Sequence, residues 1–187
     1  MCEEEGREAD DLIASKVAEL DNKNEIVIVS ADKDLGQLVK SGVSQLLPPP
    51  TANPKIGWRI LDEKGVEEKF GIPPCLLLDY LSIIGDQADN INGLNGVGPK
   101  TAVKWLKNWG NLDEIILNAG RITPARFGSL IYENRDLLNR NRDLIKLDNA
   151  PLNCVLEPKD VDLIQLEEIL AEMEMTKSIV EARKRYL

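Results

Sequence analysis

The chain has 187 residues, 23 of them Lys or Arg and 32 Asp or Glu, with no histidine and a formal net charge of −9 at pH 7. Without histidine, His-based acid–base catalysis and the usual zinc sites are excluded, so a metal site here must use oxygen ligands, which suits Mg²⁺ or Mn²⁺. Charge is unevenly spread: Met1 to Asp34 holds 11 acidic and 4 basic residues, whereas Gly96 to Lys146 holds 9 basic and 5 acidic, a pattern of either an acidic site beside a basic contact surface or simply solvated helix faces.

In chain order, Glu8 to Leu20 reads as a helix, with Leu12, Ile13, Val17 and Leu20 at helical spacing. A turn at Asp21 to Asn24 leads into Ile26-Val27-Ile28-Val29, a β-branched run expected of a parallel strand buried on both faces. Asp34 to Lys40 reads as a short helix and Val43 to Leu47 as a strand. Pro48-Pro49-Pro50 then forces an extended loop. A weaker strand at Trp58 to Leu61 and a helix over Glu63 to Phe70 complete an α/β first part. From Pro73 the pattern turns helical, with Leu76, Leu77, Tyr80, Leu81 and Ile84 on one apolar side. Further helices are expected over Pro99 to Trp109, Asn111 to Asn118, Pro124 to Arg140 and Asp162 to Glu172, with Gly110 and Gly120 as caps.

Three acidic groups fall at element ends. Glu8, Asp10 and Asp11 open the first helix, where acids are also favoured simply by the helix dipole. Asp32 and Asp34 follow the strand that ends near Ser30, at the strand edge where open α/β sheets bind ligands; a helix N-cap is the plainer reading. Asp86 and Asp89 lie three apart between an apolar helix and a glycine-rich stretch. Crowded carboxylates repel one another unless a cation neutralises them, so three such groups together point to metal binding more than any one alone.

The run Gly93-Leu94-Asn95-Gly96-Val97-Gly98-Pro99-Lys100-Thr101-Ala102 is the sharpest local pattern. Gly96 and Gly98 permit a tight turn that leaves backbone around Val97 open to a ligand, and Pro99 suits the first position of the next helix. Lys100, Thr101 and Lys104 would line a helix start that attracts an anion. The combination is a helix-hairpin-helix suited to a sugar-phosphate backbone of any sequence. Trp105 and Trp109 either stack on bases or, as helical spacing favours, pack in the core.

In this order and wording, Glu8-Ala9-Asp10-Asp11, Ala31-Asp32-Lys33-Asp34-Leu35, Asp79-Tyr80 through Gly85-Asp86 to Asp89-Asn90, and Gly96 to Ala102 resemble the 5′-nuclease family: bacterial and phage 5′→3′ exonucleases, the 5′-nuclease domain of DNA polymerase I, and flap endonucleases. The resemblance runs from Gly6 to about Lys146 and continues weakly to Met175. Ala88 and Asn92 depart from it, standing where the family often has Ser and Pro. It implies an α/β fold: a partial parallel-sheet core of the PIN-like type over residues 1–72, then an all-helical DNA-binding subdomain over 73–187 with its hairpin at 93–109. It implies that Glu8 and Asp10, with Asp11 close by, hold one metal ion, and that Asp32, Asp34, Asp86 and Asp89 gather around a second. It also implies duplex DNA with a 5′ end or flap as partner, K⁺ at the hairpin carbonyls, and roles in replication and repair.

Other expectations concern the setting. No apolar run approaches the ~20 residues of a membrane span, and the acidic N-terminus is unlike a signal peptide. The 3 cysteines are odd in number and far apart, which fits a reducing compartment better than a disulfide scaffold; the resemblance implies a cytoplasmic, nucleoid-associated setting. Only seven residues precede Glu8, whereas the family begins with an Asp-ending strand and a basic arch. The chain is therefore expected to be a C-terminal portion, its missing part supplied by a truncated reading or a separate chain. The alternative is a non-catalytic DNA-binding module that retains the hairpin and lacks turnover.

Overall fold

The computed structural model describes residues 2–20, 25–152 and 161–186; the turn expected at Asp21 to Asn24 lies outside them. Glu3–Asn153 form one compact unit, and Met1–Cys2 with Cys154–Leu187 form another.

Within the larger unit, helix α1 (Ala9–Leu20) turns Ala14, Ser15 and Val17 inward. Strand β1 (Ile26–Val29) pairs in parallel with β2 (Val43–Leu47), and β2 pairs antiparallel with β3 (Arg59–Leu61). The sheet is thus a parallel pair carrying an antiparallel third strand, in the order β1-β2-β3. The short helix expected from Asp34 is a 3₁₀ turn, Asp34–Leu38, that buries Leu35 against Val17, Ile28 and Val43. Helix α2 (Glu63–Phe70) has the expected bounds, capped by the Asp62 side chain and ended by Gly71 in the left-handed region.

Alternation along the strands sorts the sheet into two unlike faces. Ile28, Val43, Leu47 and Leu61 point into the core. The register places Val29 beside Leu46 and Leu46 beside Ile60 on the other face. There Val27, Val29 and Ile60 are 51%, 62% and 70% exposed, so β1 is buried on one face rather than both. Among the described residues β1 pairs only with β2, which leaves its other edge free.

The helical part begins with a 3₁₀ turn at Pro74–Leu76 and helix α3 (Leu77–Ile84). A two-stranded hairpin follows, β4 (Gly85–Asp86) against β5 (Ile91–Asn92), which sequence periodicity had not marked. Helix α4 (Pro99–Trp109) has the expected bounds, and α5 (Leu112–Leu117) is one residue shorter at each end than the expected helix. The helix expected over Pro124 to Arg140 is two, α6 (Ala125–Glu133) and α7 (Arg135–Ile145). The break falls at Asn134, whose side-chain amide donates to Leu130 O at 2.8 Å, competing with the helical ladder as short polar side chains do. Leu77, Leu81, Ile83, Leu106, Leu112, Ile115, Ile131 and Leu138 form one buried cluster joining α3 to α7.

In the smaller unit, α8 (Leu163–Glu172) is followed by α9 (Thr176–Tyr186), beyond the helices expected, and Arg183 reaches Glu167 with both Nε and a terminal nitrogen. Cys75 is a free, exposed thiol, and Cys2 is disulfide-bonded.

Asn141 ties the helical core to the β4–β5 hairpin. It is fully buried on α7, and its Nδ2 donates to Ser82 O at 3.1 Å and to Asn92 O at 2.8 Å. Leucine is nearly isosteric but removes the buried donor that both carbonyls share, a loss of about 1–3 kcal/mol. Asn141→Leu is expected to lower unfolding free energy by about that much, read as a lower urea midpoint with an unchanged slope.

Candidate metal centre

The loop after β1 brings Asp32 and Asp34 to the C-terminal edge of the parallel pair. Gln45, fully buried on β2, fixes that loop by donating from Nε2 to Ser30 O and Asp32 O. The Asp34 N–H donates to Asp32 Oδ1 at 2.9 Å, so part of Asp32 is used in closing the turn. The β4–β5 hairpin supplies Asp86 and Asp89 from the end of α3. A Cβ on Gly93 would lie 2.2 Å from Ile84 O, and one on Gly85 2.4 Å from Ile91 O, so this tight reversal requires glycine at both positions.

These two pieces converge. Asp34, Asp86 and Asp89 each offer a carboxylate oxygen, all within 4.8 Å of one another. Asp34 Oδ1 is buried without a hydrogen-bond partner, and Asp86 is 3% exposed. An orphaned buried acceptor beside two further carboxylates fits a hard cation that takes oxygen ligands.

The electrostatics record the crowding. Burial first, then repulsion from Asp32 and Asp86, push the Asp34 carboxyl from 3.8 up to about 6. Asp89 is also raised, by desolvation and by Asp86 beside it. Burial alone would raise Asp86 too, but hydrogen bonds from the Lys33 ammonium and the Ala88 N–H outweigh it, and its pKa is lowered. Lys33 is ion-paired with Asp86.

The remaining predicted acids lie around the same cleft without joining the cluster. Glu8, Asp10, Asp11, Asp32, Asp34 and Asp89 line a cavity of about 940 Å³, with Asp143, Lys146 and Asp148 on another side. Asp11 is engaged structurally, its Oδ1 accepting from the Asp148 N–H at 2.8 Å. Arg7 reinforces that contact, donating to Ser15 Oγ at 2.6 Å and to the carbonyls of Asp148 and Ala150 at 3.1 Å each. The segment after α7 is thereby strapped onto the start of α1, next to Glu8 and Asp10.

The glycine run forms a turn as expected. Gly96 has φ +74°, ideal Cβ positions on Gly96 and Gly98 meet nothing within 4 Å, and Pro99 opens α4. Lys100 and Lys104 are exposed and Thr101 partly so, while the Val97 side chain is buried and its N–H donates to Leu94 O. Trp105 is 3% exposed and packs edge-on to Phe127, so it belongs to the core.

Residues 72–168 match the family described as 5′-3′ exonuclease, C-terminal SAM fold, and residues 1–71 match its N-terminal resolvase-like domain. The chain belongs to the 5′-3′ exonuclease family. It is 33% identical to a 5′-3′ exonuclease of Aquifex aeolicus over 98% of this chain and 62% of that protein. It is 35% identical to DNA polymerase I of Rhizobium leguminosarum over 96% of this chain and 18% of that protein. A structure of T5 5′-exonuclease with divalent metal ions (zinc) bound superimposes with a TM-score of 0.66 at 25% identity, covering 76% of this chain and 51% of that one. The chain therefore spans under two thirds of these relatives.

The exonuclease-family resemblance read from sequence is thus established, and so is the fold of a small sheet followed by helices. Sequence reasoning passed over Lys33, Gln45, Arg7 and Asn141. Lys33 stood in plain view between two acids, and Asn141 interrupts the apolar face formed by Leu138 and Ile145. Arg7 and Asp148, 141 residues apart along the chain, offer no local sign of their contact.

The raised pKa of Asp34 makes a signed prediction. Its contribution to metal-free stability is fully present below the ordinary value of 3.8 and is lost as pH rises through about 6. Asp86, whose pKa is lowered, contributes in the opposite sense, losing its share as pH falls below the ordinary carboxylate value. Asp34→Asn is expected to raise the melting temperature in EDTA at neutral pH, with the gain shrinking toward about pH 4. The same variant should lose most of the stabilisation that Mn²⁺ gives the unaltered chain, as thermal melts with and without Mn²⁺ will show.

Proposed function

We propose that this chain carries part of a divalent-cation nuclease site that hydrolyses DNA phosphodiester bonds at 5′ ends or flaps, with the glycine hairpin holding duplex DNA irrespective of sequence. The observation that carries this reading is the meeting of Asp34, Asp86 and Asp89 oxygens within 4.8 Å, one of them a buried acceptor with no partner. The 5′-3′ exonuclease and DNA polymerase I relatives favour DNA as substrate and replication or repair as the setting.

In this reading Asp34, Asp86 and Asp89, with Asp32 beside them, hold one Mg²⁺ or Mn²⁺ ion, and Glu8 and Asp10 across the cleft help to hold another. Such a pair of ions, when bound, lowers the pKa of a water and stabilises the leaving oxygen of an in-line displacement. The chain's own contribution is geometric. Gln45 and the Gly85–Gly93 close approach fix the carboxylates, and the Arg7–Asp148 and Asp11–Asp148 contacts fix the start of α1. At the hairpin, the exposed backbone at Gly96 and Gly98, with Lys100, Thr101 and Lys104, grips phosphate oxygens, and Val97 serves by packing the turn onto the core. Hairpin carbonyls are the groups that would accept K⁺. The exposed sheet face of Val27, Val29 and Ile60 is where further α/β elements of a complete nuclease pack, on the same polypeptide or on a separate chain.

A 5′-flap and a nicked duplex, incubated with the purified chain and Mg²⁺ or Mn²⁺, test the chemistry. Metal-dependent products that Asp34→Ala with Asp86→Ala abolishes would rule out the binding-only reading. Salt-sensitive duplex binding with no cutting would favour the binding-only reading instead. Lys100→Ala with Lys104→Ala is expected to weaken duplex binding equally across sequences and to flatten the log K against log salt slope by about 2; an unchanged affinity and slope would remove the hairpin from the interface.

A further inference from the structure

Lys33 sits inside the acidic cluster, not at its rim. Its ammonium is ion-paired with Asp86 Oδ2, on a carboxylate whose side chain is 2% exposed, while the lysine side chain itself is 35% exposed. The other oxygen of that carboxylate, Oδ1, already accepts the Ala88 N–H at 2.9 Å. Burial alone would lower the Lys33 pKa, yet the hydrogen bond and charge of Asp86, with further attraction from Asp34 and Asp89, hold it above the usual lysine value.

We propose that Lys33 is an internal counter-ion of the metal centre: it neutralises Asp86 in the metal-free protein and is displaced by the incoming divalent cation, so that it sets the affinity of the site for metal. The inference rests on the reading that Asp34, Asp86 and Asp89 hold that cation. With Oδ1 of Asp86 pinned by the backbone, a cation drawing on this carboxylate meets the ammonium at Oδ2, and two cations so close repel one another. Lysine is suited to such an exchange. Its charge is compact, its four-carbon stem is flexible, and its partly exposed position leaves a path to solvent. Without the ammonium, three carboxylates would face one another uncompensated, which raises the free energy of the metal-free state. Lys33 is thus a positioning residue. It holds Asp86 in place until a stronger cation takes over.

The sign of the effect separates this role from that of an ordinary structural ion pair. Lys33→Met keeps much of the stem and removes the charge; Lys33→Gln is a second neutral form, and Lys33→Arg keeps the charge. Mn²⁺ binding to the purified chain is measured by calorimetry, and melting temperatures are measured in EDTA and in saturating Mn²⁺. Both neutral variants are expected to bind Mn²⁺ about three- to tenfold more tightly than the unaltered chain. They should also melt lower in EDTA and recover most of that deficit in Mn²⁺, while Lys33→Arg stays near the unaltered values. If the unaltered chain binds Mn²⁺ and the neutral variants bind it equally or more weakly, this inference fails and the metal reading stands. An equal melting deficit in EDTA and in Mn²⁺ likewise overturns it, because the pair would then be structural only. No Mn²⁺ binding by any form overturns both.

Discussion

Carboxylates resist being crowded, and the structure is organised around crowding three of them. Asp34, Asp86 and Asp89 come within 4.8 Å from two separate pieces of chain, the loop after β1 and the β4–β5 hairpin. Each piece is pinned by contacts that leave the acidic side chains free. Gln45 grips the first through two backbone carbonyls, and Asn141 grips the second in the same manner. Buried amides are apt for this task because they satisfy carbonyls that no sheet or helix ladder reaches. The repulsion that remains appears in the raised pKa values of Asp34 and Asp89, and Lys33 relieves part of it at Asp86.

The same hairpin links the acidic centre to the exposed glycine turn. Asp86 and Asp89 precede Gly93 and Leu94; the Leu94 N–H donates to Ile83 O, and the Val97 N–H donates to Leu94 O. The chain therefore passes from the clustered acids to the exposed glycine turn through a few backbone bonds anchored on α3. Behind that turn, Ala102, Trp105 and Leu106 lock α4 into the helical core. A rigid mount of this kind holds the glycine turn at a fixed distance from the acidic cluster.

The sheet tells a different story from the helical core. Its inner face is closed by α1 and the 3₁₀ turn at Asp34–Leu38, but Val27, Val29 and Ile60 form an open apolar face beside a free β1 edge. Contiguous exposed apolar surface of this sort is characteristic of interaction sites.

Much was legible in the sequence, because it depended on local chemistry. The periodicity of Glu63 to Phe70 and of Pro99 to Trp109, the caps at Asp62 and Gly71, and the Gly-Val-Gly-Pro turn are fixed by residues within a few positions of one another. The order of the acidic motifs likewise announced an exonuclease-family chain. Other features were settled by contacts between distant parts of the chain. Whether Asp11 faces metal or caps the Asp148 amide depends on a segment more than a hundred residues away. Which face of β1 is covered, whether Trp105 stacks outward or packs against Phe127, and that Lys33 reaches Asp86 also depend on elements that only folding brings together. The sequence by itself determined which carboxylates and glycines were present and their order. The tertiary structure alone decided which of those carboxylates meet, because bringing like charges together requires opposing anchors supplied from across the fold.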